Sequence, residues 1–124
     1  MARRVSLAMM FRRLVAINAA AADAGEYEIA YHTLMAALHT AECIARDTGK
    51  GDQILEVAGI ARAQGAVVER IKPPHQLSKS AAKNRGHSSV YETFQLHADS
   101  AHLRLKTQKR RAAAKLLWPH TAAR

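Results

Sequence analysis

The chain has 124 residues, a formal charge of +9 and one cysteine, Cys43. That length suits one domain with a modest core, a lone cysteine excludes an intrachain disulfide, and no apolar run nears the ~18 residues that cross a bilayer. Alanine makes up roughly a fifth of the residues while glycine and proline are few, which favours an all-α fold, because alanine loses no side-chain entropy in a helix.

The N-terminus, MARRVSLAMMFRRLV, is basic and carries an apolar stretch from Val5 to Phe11. Arg12 and Arg13 cut that stretch at the lower edge of a signal-peptide core, and no small-residue cleavage site follows. The pattern reads as an amphipathic helix, and a cytoplasmic location is expected. A first helix is predicted over residues 4–22, with Leu7, Met10, Leu14, Ile17 and Ala21 on its inner face. Gly25 suits the left-handed residue that ends such a helix.

A second helix is predicted over 26–47. Tyr27, Ala30, Tyr31, Leu34, Ala37, Leu38, Ala41, Ile44 and Ala45 recur at steps of three and four and form one apolar stripe. Gly49 is its natural stop. A third helix is predicted over 52–71, with Asp52 as N-cap and Ile54, Val57, Ala58, Ala61, Gly65, Val68 and Ile71 on one face. Its small central residues allow a neighbouring helix to come close. The short link between helices two and three requires an antiparallel hairpin.

Pro73 and Pro74 end that helix. Residues 73–88 read as a flexible connector with room for a short helix over 77–84. A last helix is predicted over 89–117, opened by a Ser89-x-x-Glu92 capping box and carrying Tyr91, Phe94, Ala98, Ala101 and Leu105 on its inner face. Beyond Leu105 the stripe degrades, so residues 106–124 read as a basic segment that projects from the body. The whole is expected to be an antiparallel bundle of about four helices in a single domain spanning 1–124.

The charge sits at the two ends. Residues 1–13 carry +4 and residues 104–124 carry +7, neither with an acid, which leaves the ninety residues between at −2. Cationic ends point to an anionic partner. LKTQKRRAAAK has no interleaved aromatics for base stacking, so contact with nucleic acid there is expected to be with phosphate and non-specific. The residues for it are Arg104, Lys106, Lys109, Arg110, Arg111 and Lys115.

GEYEIAYHTLMAAL, beginning at Gly25, resembles the second helix of a tetratricopeptide repeat. Gly25, Glu26, Tyr27, Ala30, Leu34 and Ala37 match that family's order of glycine, acid, aromatic, alanine, large apolar and small residue. GDQILEVAGIARAQG, residues 51–65, resembles the opening helix of a following repeat. The resemblance covers about residues 14–65. Within it Asn18 and Ala21 stand where the family carries a small residue and an aromatic, and the 34-residue period is not kept. The resemblance implies a helical hairpin that binds a peptide or partner helix, without catalysis.

Candidate chemistry gathers on helix two, where His32, His39 and Cys43 share a narrow arc flanked by Glu28 and Glu42. His39 and Cys43 are one turn apart and could touch one ion, but His32 lies about 10.5 Å from His39 along the axis. A zinc site would need ligands from another helix. The last helix offers His97, Asp99 and His102 but no Glu-x-x-His pair. The plainer reading is surface pairing of Glu28 with His32 and of Glu42 with Arg46, with Cys43 a small filler. No metal, cofactor or catalytic residue is expected: no nucleophile and base can be assembled from spacing, and GKGD at 49–52 lacks the length and hydroxyl of a phosphate loop. The expected function is therefore a non-enzymatic module for a protein partner or self-association, its surface lined from Tyr27, Tyr31, Tyr91 and Phe94. The alternative is phosphate contact through the C-terminal segment.

Overall fold

The computed structural model describes residues 5–117, which fold into five helices with no strand among them. These are α1 (Leu7–Asp23), α2 (Tyr27–Thr48), α3 (Asp52–Glu69), α4 (Lys79–Asn84) and α5 (Val90–Leu117). The all-α bundle is as expected, and the short fourth helix lies within the span allotted to it. Residues 1–4 and 118–124, including the expected start of helix one at position 4, lie outside the described residues.

Local chemistry sets the helix ends. The Ser6 hydroxyl accepts from the Met9 amide at 3.1 Å, capping α1. At the other end the Gly25 amide donates to Ala22 O and the Glu26 amide to Ala21 O at 2.8 Å, around a Gly25 φ of 76°. This closing pair of bonds needs a residue that tolerates the left-handed region. Asp52, expected as the N-cap of α3, is instead its first residue, and Gly51 holds the cap position without a side-chain bond. The end of the Leu105 side chain lies close by: a Cβ at Gly51 would stand 2.8 Å from Leu105 Cδ2.

Cross-helix contacts give the directions. Arg12 meets Glu56 and Asn18 meets Gln64, so α1 and α3 run parallel. Gly51 lies against Leu105, Ala58 against Gln95 and Gly65 against Tyr91, so α3 and α5 run antiparallel. Tyr31 meets Tyr91 and Glu42 meets Arg104, so α2 and α5 run parallel. The α2–α3 hairpin is thus the middle of the bundle, with α1 laid on one side and α5 on the other.

The core is built where the stripes predict. Ala30, Leu34, Ala37, Leu38, Ala41, Ile44 and Ala45 of α2 are buried, as are Ile54, Val57, Ala58, Ala61 and Val68 of α3. On α1 the expected face is only partly right. Met10 and Ile17 are 41% and 51% exposed, while Phe11 and Asn18 are buried. The helix is turned by roughly 70° from the orientation its aliphatic residues suggest. Asn18 explains the rotation: its side chain donates to Ala30 O at 2.7 Å and exchanges bonds with Gln64, so a polar residue takes an inner position fully bonded.

The 73–88 segment is tied to the body at several points. Its His75 ring meets Tyr27 edge-on at 5.9 Å, the Gln76 amide donates to Glu28, and the Lys79 amide donates to Glu69. Ser78 caps α4 and is buried together with Ala82. Ser89 then opens α5 by accepting from the Tyr91 amide at 3.3 Å while donating to Leu77 O at 3.2 Å. The hydroxyl therefore serves the second amide of the helix and the connector, in place of the reciprocal box expected with Glu92.

Candidate functional site

Of the four aromatics expected to line a partner surface, Tyr31, Tyr91 and Phe94 pack on one another, while Tyr27 stands against His75. Phe94 and Tyr91 are 1% and 6% exposed. Tyr31 packs edge-to-face on both, with centroids 5.9 Å from Tyr91 and 6.5 Å from Phe94. Tyr27 and Tyr31 remain half-buried. Edge-to-face rings attract through their quadrupoles, and here that attraction joins the start of α5 to α2. Burial pushes the Tyr91 hydroxyl pKa up to about 12, with the neighbouring Tyr27 and Tyr31 adding to the rise. Burial also raises that of Tyr31. The apolar spacing of Tyr91 and Phe94 on α5 was itself the sign that both point inward.

The basic residues separate into two groups. Arg104 belongs to the body, its guanidinium donating to Glu42 Oε1 at 3.2 Å. Leu105 is the last buried residue of α5. From Lys106 to Leu117 the helix continues for about 18 Å, and every residue there except Thr107 is exposed. Lys106, Lys109, Arg110, Arg111 and Lys115 all lie on this arm, and none is in an ion pair among the described residues. At about 100° per residue, Arg111 and Lys115 lie on one flank and Lys106, Lys109 and Arg110 on the other.

A polar seam runs between α2 and α5 just before the arm. Glu42 is its centre. It does not pair with Arg46 as expected, because α5 brings better partners across it: His97 Nε2 at 3.5 Å and Arg104 at 3.2 Å, with His39 Nδ1 at 3.3 Å one turn back on α2. Arg46 turns to Asp47 at 3.8 Å. Glu28, expected beside His32, accepts from Gln76 instead. The His39 and His97 rings stand 5.9 Å apart and nearly perpendicular, at 83°. A cleft of about 270 Å³ opens next to Glu42, between Arg46, Ile54, Arg104 and Gln108. A second, similar groove of about 270 Å³ lies at the far end of α5, walled by Arg62, Glu69, Lys79 and Glu92 over a floor at Gly65.

Among the described residues no helix is long and apolar enough to cross a membrane. No protein-family model, curated protein or solved structure matches the chain.

Proposed function

We propose that the protein is a non-enzymatic binding module whose contact element is the α5 arm, and that the arm takes the phosphates of a nucleic acid. The observation that supports this reading most directly is the run of five cations on an exposed, acid-free helix beyond the body. A cation already paired with a carboxylate gains little from a phosphate. Lys106, Lys109, Arg110, Arg111 and Lys115 have no such pairing to give up. Their two flanks suit a groove with a phosphate wall on either side, and an α-helix fits the ~12 Å width of the major groove. The arm has no aromatic side chain to stack on bases, and its cations are taken to meet phosphate, so the binding expected is sequence-independent.

The test is binding of a short generic duplex by the full chain and by an Arg110→Ala/Arg111→Ala/Lys115→Ala variant. The reading requires affinity that falls with salt and drops in the variant. Affinity that survives all three substitutions would sink it.

A protein partner is the second reading, favoured by Leu96 and Leu103. They are 70% and 63% exposed and seven residues apart on one line of α5. The resemblance of the α2 region to a tetratricopeptide repeat supports the same reading. On this view the leucine line, rather than the buried aromatics, forms the contact.

A further inference from the structure

The geometry points to a divalent transition-metal site on the body, with zinc the favoured ion, held by His39 and Glu42 of α2 and His97 of α5. The donor atoms of these three side chains all lie within 4.8 Å of one another. Zinc binds imidazole nitrogen and carboxylate oxygen at about 2.0–2.2 Å, so two donors on a tetrahedral ion stand about 3.4 Å apart. Glu42 Oε2 stands 3.3 Å from His39 Nδ1 and its other oxygen, Oε1, 3.5 Å from His97 Nε2, so the imidazoles flank the carboxylate at its two oxygens. To share one ion the two imidazoles must close on each other and the carboxylate must turn one oxygen to it or bind through both, and both rings are exposed enough to turn, at 62% and 42%.

The donor set is chemically selective. Two imidazoles with one carboxylate suit zinc and its neighbours, whereas magnesium and calcium take oxygen ligands. Three protein ligands leave the fourth position of a tetrahedral ion open to water. His39 and Glu42 share one helix at a spacing of three, but His97 arrives from another, so the full set exists only in the folded chain. An ion bound there would clip α5 to α2 just before the arm.

Arg104 acts against the ion. Its guanidinium lies 3.2 Å from Glu42 Oε1, on the oxygen nearest His97. A metal on Oε1 must share that oxygen or displace Arg104, and one on Oε2 still binds a carboxylate whose charge the guanidinium partly neutralises, so the site is weaker than the three ligands alone would make it. This gives the proposal a variant that strengthens binding. The site lies on the body and its test is separate from that of the arm.

The experiment is titration of tag-free full-length chain with Zn²⁺, and with Co²⁺ for its ligand-field absorption. One ion per chain is expected, with a rise in Tm, since the ion binds only the folded form. His39→Gln and His97→Gln should each weaken binding by more than about tenfold, while lowering the metal-free Tm only slightly, because both side chains are well exposed and such pairs contribute little. Arg104→Ala should tighten binding. Cys43→Ser should leave affinity and the Co²⁺ spectrum as they are. No saturable ion, or one whose affinity is unmoved by His97→Gln, would overturn the proposal, as would loss of binding in Cys43→Ser.

Discussion

Asn18 and Gln64 hold each other by both ends of their amides: Asn18 Nδ2 donates to Gln64 Oε1 at 3.1 Å and Gln64 Nε2 donates to Asn18 Oδ1 at 2.7 Å. Asn18 also donates to Ala30 O, so one side chain bonds α1 to both α2 and α3. Buried amides that are fully bonded specify one packing, and half-bonded ones are costly.

Asn18→Ala should therefore cost about 1–3 kcal/mol, the penalty of stranding buried partners. Gln64→Ala should cost less, because the bond to Ala30 O survives and Gln64 is only part-buried. Urea denaturation of both singles and the double should show coupling of at least about 0.5 kcal/mol. Strict additivity would mean that the pair does not act as one unit.

Phe94 separates a core stack from a binding surface. Phe94→Ala should destabilise the fold by about 3–5 kcal/mol, as for other fully buried aromatics. A surface aromatic would cost almost nothing on thermal melting. Tyr91→Phe should be neutral or stabilising, since the Tyr91 hydroxyl is buried with no hydrogen-bond partner among the described residues.

Tyr91 also predicts behaviour in alkali. Its hydroxyl pKa is raised from 10.0 to about 12 in the folded chain. The neutral phenol is the form the fold favours. Its contribution is fully present below pH 10 and is lost as pH rises toward 12. Wild type should lose stability over that window, and Tyr91→Phe should lose less. Equal losses in both would place the alkaline transition elsewhere.

Two glycines of α3 should respond in different ways to alanine. A Cβ at Gly59 meets nothing within 4 Å, so Gly59→Ala should stabilise by about 0.5–1 kcal/mol through helix propensity alone. A Cβ at Gly65 would lie 3.2 Å from both Cβ and Cγ of Tyr91. Those atoms are fixed close to the α5 backbone and give little. Gly65→Ala should therefore be clearly less stable than Gly59→Ala in the same melt.

The arm makes a quantitative statement about salt. Five phosphate contacts correspond to a log–log slope of about −4.5 on duplex DNA. Each Lys or Arg removed from the arm should reduce that slope by about one. Arg104→Ala should change the slope little, because Arg104 is paired with Glu42. If Arg104 counts as much as Arg111, the division between body and arm is wrong.

The helices, their glycine stops, the inner faces of α2 and α3 and the projecting end of α5 were all legible in the chain. Each depends on residues three or four apart or on one turn residue, and these interactions are local. Leu34, Leu38, Ile54 and Val57 could face only inward once their helices formed. What sequence could not decide was which helix meets which partner. A spacing of four pairs Glu42 with Arg46, but α5 delivers His97 and Arg104 to it from more than fifty residues away. Nothing in the spacing of α1 marks Asn18 as buried, and Gln64 and Ala30 supply the bonds that hold it there. The spacing of Tyr91 and Phe94 turns both inward, but only the fold sets them against Tyr31. Periodicity determined the elements, because hydrogen bonding and burial repeat along a helix. Only the tertiary structure decided the polar pairings, because charge and hydrogen-bond partners are chosen across helices by whichever group the packing brings within reach.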